Sequence, residues 1–159
     1  MASNSDSIAR NQAQYAARNL WAGIAFGIGF MAFIDEVVFH QLLQWHHFYD
    51  LSTTKAGIFA DGLLNSFAWF AAIGSLFLFA DLRRKGALWK KKWIGSVFLG
   101  LGTFQVFDGI VAHKILRIHQ VRYNVNTLPY DLAWNLAGGF LLLIGIVLLL
   151  QTRNPSSKS

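Results

Sequence analysis

Four apolar blocks decide most of what this chain can fold into. They run roughly from Leu20 to Trp45, Gly57 to Ala80, Trp93 to Leu116 and Asp131 to Leu150, and about 20 residues suffice to cross a bilayer as helix. A spanning sheet would have to close into a barrel and show short alternating segments, whereas these blocks are continuous. At 159 residues the chain is one all-α domain, a four-transmembrane-helix bundle. A cleaved signal peptide does not suit the first block, which follows a polar stretch, is too long, and runs into charged residues with no small-x-small site beyond it.

The expected organisation is a polar N-terminal tail over 1–19 and a first hairpin over 20–80. A basic loop over 81–92, a second hairpin over 93–150 and a polar tail over 151–159 follow. Both tails read as mobile. The loop 81–92 carries Arg83, Arg84, Lys85, Lys90, Lys91 and Lys92. With an even number of spans it shares its side with both termini, which add Arg10, Arg18, Arg153 and Lys158. Lys55, Lys114, Arg117 and Arg122 lie on the other side. The positive-inside rule puts the basic side, and hence both termini, in the cytoplasm. The partner this composition implies is the lipid bilayer, with anionic lipid drawn to the basic loop. A nucleic-acid patch explains the loop less economically. A homo-oligomer or a membrane-complex partner is left open.

Against that apolar background the ionisable residues stand out. Asp35, His40 and His46 form D-x4-H-x5-H, and so do Asp108, His113 and His119. Asp61 and Asn65 form D-x3-N, matched by Asp131 and Asn135. Five histidines and seven aspartates are all the chain has, so two matched sets imply that the first hairpin is echoed by the second, as parallel repeats. Glu36 corresponds to Gly109, and lies one turn from His40, where a hydrogen bond is feasible. His47 corresponds to Gln120 and reads as interfacial.

Helix rise places His46, His119, Asp61 and Asp131 in one outer layer, with His40 and His113 about 9 Å deeper and Asn65 and Asn135 about 6 Å below their aspartates. Asp35 and Asp108 come deeper again. At about 100° per residue Asp35 and His46 share a face, while His40 points some 120–140° away. A straight helix therefore cannot aim all three at one point. Two sites, an unwound outer end, or one residue facing a neighbour are the alternatives.

Ionisable groups inside a membrane span mark functional sites by default. Imidazoles and carboxylates at one level suit a divalent or trivalent transition metal, namely zinc, iron, manganese or oxidised copper. The candidate ligands are His40, His46, His113, His119, Asp61 and Asp131. Asp35, Glu36, Asp108, Asn65 and Asn135 are candidates for orienting them or moving protons. With no cysteine and two methionines, a soft-ligand copper(I) or iron–sulfur site is disfavoured. The competing readings are a structural hydrogen-bond network, a bis-histidine haem on His40 and His113, and a proton or ion path. The carboxylates argue against haem. The scarcity of polar residues towards the basic side argues against a complete path. Serine-nucleophile, phosphate-loop and nucleotide signatures are absent, and no substrate or reaction is legible. Gly23 and Gly27, Gly100 and Gly102, and Gly138 and Gly139 read as helix-packing positions. Trp45, Trp69, Trp89, Trp93 and Trp134 read partly as interface anchors.

The runs HQLLQWHH, DGIVAHKILRIHQVRY and YDLAWN resemble a bacterial family of predicted four-helix membrane proteins of unknown function. The resemblance covers about residues 20 to 150. It implies a location in the bacterial cytoplasmic membrane and assigns no catalytic residue. The family pattern has Asp-Gly in both copies. This chain keeps Asp108-Gly109 but has Asp35-Glu36.

Overall fold

The structure, a computed structural model, describes residues 4–152. Its four long helices are each long and apolar enough to cross a membrane, and no strand occurs among the described residues. Helix α1 spans Asn4–Asp35 and continues as π-helical turns over Glu36–Leu42. Helix α2 spans Thr54–Arg84. Helix α3, Lys90–Phe107, likewise passes into π-helical turns over Asp108–Leu116, and α4 spans Leu128–Gln151. The polar segment 4–19, expected as a tail, is instead the first part of α1. Arg153 and Lys158 lie outside the described residues.

Sequence sets the helix starts. Thr53 caps α2 by accepting the Ala56 N–H on its hydroxyl, and Pro129 occupies the first turn of α4, where its missing N–H costs nothing. Lateral order follows from glycine. A Cβ on Gly27 would fall on the backbone of Val97 and Leu101, and one on Gly100 on that of Ile24 and Ile28. The central pair α1 and α3 therefore touches backbone to backbone, as small residues permit in membranes. Gly102 and Gly145 do the same for α3 against α4, and Gly29 for α1 against α2. Gly139, expected at a helix contact, faces open space.

The result is a central pair, α1 and α3, flanked by α2 on α1 and α4 on α3. Helices α2 and α4 turn most of their surface outward, and Phe70, Phe77, Leu136 and Phe140 are among their exposed residues, as expected of side chains that face lipid. Trp134 is buried rather than an interface anchor, and Trp93 packs between Phe26 and Phe79.

At the basic end, Asn19 is fully buried. Its amide donates to the Tyr15 and Ala87 carbonyls and its oxygen accepts the Trp89 N–H. Asp81 gathers Arg18, Arg84 and Lys85 within 2.7–2.8 Å. These contacts tie the loop 85–89 to α1, and all the polar groups involved are spent locally.

Candidate metal centre

At the opposite end the helices stop being α-helical just where the matched residues begin. In the first half the Leu43 N–H reaches back to the Val38 carbonyl and Trp45 N–H to Phe39. In the second, Arg117 and Ile118 both donate to Ala112. These wide turns end on residues with positive φ, Gln44 at 51° and Arg117 at 52°. A non-glycine residue there is uncommon and costs on the order of 1–3 kcal/mol unless its surroundings hold it. The two occupy equivalent places in the matched motifs. π-helical turns recur at functional sites because they re-aim side chains.

Here they fold the chain back, so His46 and His119 lie beyond the helices and return onto them. The layers expected from straight helices collapse into one cluster. The His40 and His46 rings are 4.5 Å apart, His46 stacks on His119 at 4.6 Å with planes 7° apart, and His119 lies 4.6 Å from His113. All four imidazoles are buried, with relative exposures of 1–6%.

Ring nitrogens settle which atom faces inward. His46 Nδ1 lies 2.9 Å from the Val121 carbonyl, and His119 Nδ1 3.0 Å from the Phe48 carbonyl. A carbonyl can only accept, so each Nδ1 carries a proton, and in the neutral ring Nε2 keeps its lone pair. The two bonds mirror each other, each half of the chain holding a histidine of the other. His40 Nδ1 lies 3.0 Å from Asp61 Oδ1. Glu36 Oε2 is 2.9 Å from the same nitrogen but off the N–H direction, and it finds no partner. Glu36 Oε1 instead accepts from Gln41. The Nε2 atoms of His40, His46, His113 and His119 have no hydrogen-bond partner in the chain.

Two carboxylates reach the Nε2 side. Asp108 Oδ2 lies 3.1 Å from His113 Nε2 and its Oδ1 3.4 Å from His119 Nε2, while Asp35 Oδ2 lies 3.6 Å from His40 Nε2. Oδ2 of each is buried and forms no hydrogen bond. Asp35, His40 and His46 could hold a metal ion, as could His46, His113 and His119, the ligand atoms in each group lying within 4.8 Å of one another. Glu36, His40 and Asp61 form a third such group, but it uses the His40 nitrogen already bonded to Asp61. Burial, then His119 and His40 nearby, hold His46 neutral with its pKa pushed down to about 2, so its lone pair stays available to an ion.

Asp61 and Asp131 sit behind the cluster. Asp61 accepts from His40, from His47 Nδ1 at 2.6 Å and from the Phe48 N–H at 2.7 Å. Asp131 lies 3.9 Å from His113 Nδ1, and its other oxygen is taken by Lys114 Nζ at 2.5 Å. Asn135 donates to the Asp131 carbonyl on its own helix and packs against the bare Cα of Gly109. Asn65 Oδ1 is buried without a partner.

His47 and Lys114, which donate to Asp61 and Asp131, are not among the residues expected at the site. His47 reads as interfacial because the second copy has Gln120 in its place, but beyond the helix end at Leu42 the chain turns it back onto Asp61. The usable signal was that a buried carboxylate needs a donor on each oxygen. A cavity of about 770 Å³, lined by His40, Gln44, His46, His47, Asp61 and Tyr123 among others, opens beside the cluster. At its rim, partial burial and the Asp50 carboxylate push the Tyr123 hydroxyl up from its ordinary pKa.

No curated protein and no solved structure matches the chain significantly. One family model does, over residues 22–152, which takes in α1 from Ala22 onward, the other three helices and every residue of the cluster. The chain belongs to the family described as "Predicted membrane protein (DUF2243)", membrane proteins of unknown function.

Proposed function

We propose that this chain is a membrane metalloprotein whose centre is held by Nε2 of His40, His46, His113 and His119 together with the carboxylates of Asp35 and Asp108. In this reading Asp61 orients the His40 imidazole from behind, and Asp131 lies behind His113 without bonding it, the reverse of the roles that helical depth suggests for the two aspartate pairs. The observation that carries it is the set of four buried Nε2 atoms without hydrogen-bond partners, two of them fixed as acceptors by carbonyls on the far side of the ring. A buried unsatisfied group costs about 1–3 kcal/mol, so a structural network would have bonded these atoms to one another. Imidazole and carboxylate donors favour zinc, iron, manganese or oxidised copper.

An ion held by three of these residues, as in the groups above, would act as a Lewis acid or activate a bound water. The residues around it have their own tasks. Asp61 fixes the His40 ring through Nδ1, a contact of the kind that typically tunes metal affinity. Glu36 Oε2, unbonded and beside that ring, is positioned to accept a proton. The cavity at His46 and His47 is the route from water. The positive-inside rule supports a cytoplasmic basic end and an outward-facing centre.

A haem between His40 and His113 is disfavoured because the stacked rings of His46 and His119 occupy the cluster's middle. A proton path across the bundle is disfavoured because Asn19, Ser75 and Ser96, the buried polar residues nearer the basic end, are spent on backbone groups.

The test is elemental analysis with an absorption spectrum on detergent-purified protein, before and after metal is added back. Stoichiometric transition metal without a Soret band is expected, lost on His46→Ala or His119→Ala. The count per chain gives the number of ions held. A Soret band would move the assignment to haem. Metal unchanged in both variants would remove these histidines from the ligand set.

A further inference from the structure

The metal-centre reading leaves a second opening unused. On the face opposite the polar cavity, a cavity of about 470 Å³ lies between α2 and α3. It exists because α2 reaches the bundle through α1 and its π-helical turns rather than through α3. Its walls include Leu63 and Phe67 from α2, Thr103 and Phe104 from α3, Phe48 from the outer loop, and Asp108. Asp108 is the one ionisable residue among them. Leu63, Phe67 and Thr103 are exposed at its flanks, on segments whose composition puts them within the hydrocarbon layer.

Resting on that reading, we propose that this cleft admits the hydrocarbon chain of a bilayer amphiphile and brings its polar head to the metal centre at Asp108. Three observations converge. The volume is that of a small-molecule site, commonly ~300–1,000 Å³. The walls are apolar up to Asp108, so the matching ligand is apolar along its length and polar at one end. The inner end is continuous with the donor set, because Asp108 lies 3.1 and 3.4 Å from His113 and His119 Nε2, and Phe48 also holds the His119 ring through its carbonyl. A water-soluble substrate has its own entrance at His46 and His47. The cleft makes sense only for a molecule that arrives from the membrane.

The experiment uses the full chain in lipid nanodiscs with a long-chain alcohol carrying a diazirine next to its hydroxyl, followed by peptide mapping of the photoadducts. Adducts are expected on Phe48, Phe104 or Phe107, saturable and displaced by excess unlabelled alcohol, over a non-saturable background at lipid-facing Phe77 and Phe140. Thr103→Trp, and independently Leu63→Trp on the opposite wall, fill the cleft and cut the saturable labelling roughly tenfold while bound metal stays at its wild-type amount. Labelling that never saturates, survives both tryptophans, or is displaced by crosslinks between two copies across the cleft overturns the proposal. Saturable labelling in a protein that never takes up metal would refute the metal centre while leaving the cleft occupied, so the two failures are told apart.

Discussion

Replacing Asp61 by asparagine tests the centre at one remove from the metal. The aspartate oxygens accept from His40 Nδ1 at 3.0 Å, Phe48 N at 2.7 Å and His47 Nδ1 at 2.6 Å. Asparagine keeps the shape and one acceptor. Oriented with its oxygen at Oδ1 it retains His40 and Phe48, but it loses its charge and points an NH₂ at His47, which is partly exposed and can turn away. The remaining bond to His40 is neutral, roughly half as strong as a charge-assisted one, and the imidazole becomes a poorer, less fixed ligand. Such contacts behind a ligand typically cost 10–100-fold in metal affinity, about 1.4–2.8 kcal/mol. Asp131→Asn is the matched control. Its carboxylate is 3.9 Å from His113 Nδ1 and already committed to Lys114, so its effect on affinity is expected to be small. Competition against a chromophoric chelator on detergent-solubilised protein measures both. Equal losses, or a larger loss for Asp131→Asn, would refute the assignment of Asp61 as the residue orienting His40.

Three further outcomes are expected. Gly57→Ala places a methyl 2.8–2.9 Å from the His47 ring and dislodges it from Asp61, so metal affinity falls less than in Asp61→Asn, read by the same titration. Gly100→Leu drives a side chain into the α1 backbone and lowers the thermal midpoint in detergent sharply, whereas Gly139→Leu, with nothing within 4 Å, leaves it nearly unchanged. Asn19→Ala removes the donor to the Ala87 carbonyl and the side-chain acceptor of the Trp89 N–H and costs about 1–3 kcal/mol, measured by thermal denaturation, without altering bound metal.

The sequence carries the bundle openly. Apolar length sets the spans, and the central helices are recognisable after the fact by Gly27 and Gly100, although the same glycine signal misled at Gly139. Matched spacing also picked out the histidines that meet. What could not be read was how they meet. Helical phase assumes a regular helix, and the deviations at 36–42 and 108–116 end on Gln44 and Arg117, residue types that give no warning of positive φ. The roles of the aspartates were hidden for a related reason. Whether a carboxylate faces Nδ1 or Nε2 depends on ring orientation, which residue spacing does not carry, and for His46 and His119 it is set by the carbonyls of Val121 and Phe48, which any residue there would supply. Glu36, which corresponds to Gly109 of the second copy, fills its half of the cluster with a side chain where Gly109 admits Asn135, so the two halves are alike in their histidines and aspartates and unlike in surroundings.

The exchanged carbonyl bonds have a consequence for how such a protein is made. His46 is braced by a residue 75 positions later in the chain, and His119 by one 71 positions earlier. During synthesis the first two spans reach the membrane with His40 and His47 already able to bond Asp61 but with His46 unbraced, and no amount of waiting completes it. The four imidazoles come together only when the second outer loop closes over the first, so the assembled cluster certifies that the third span has been threaded.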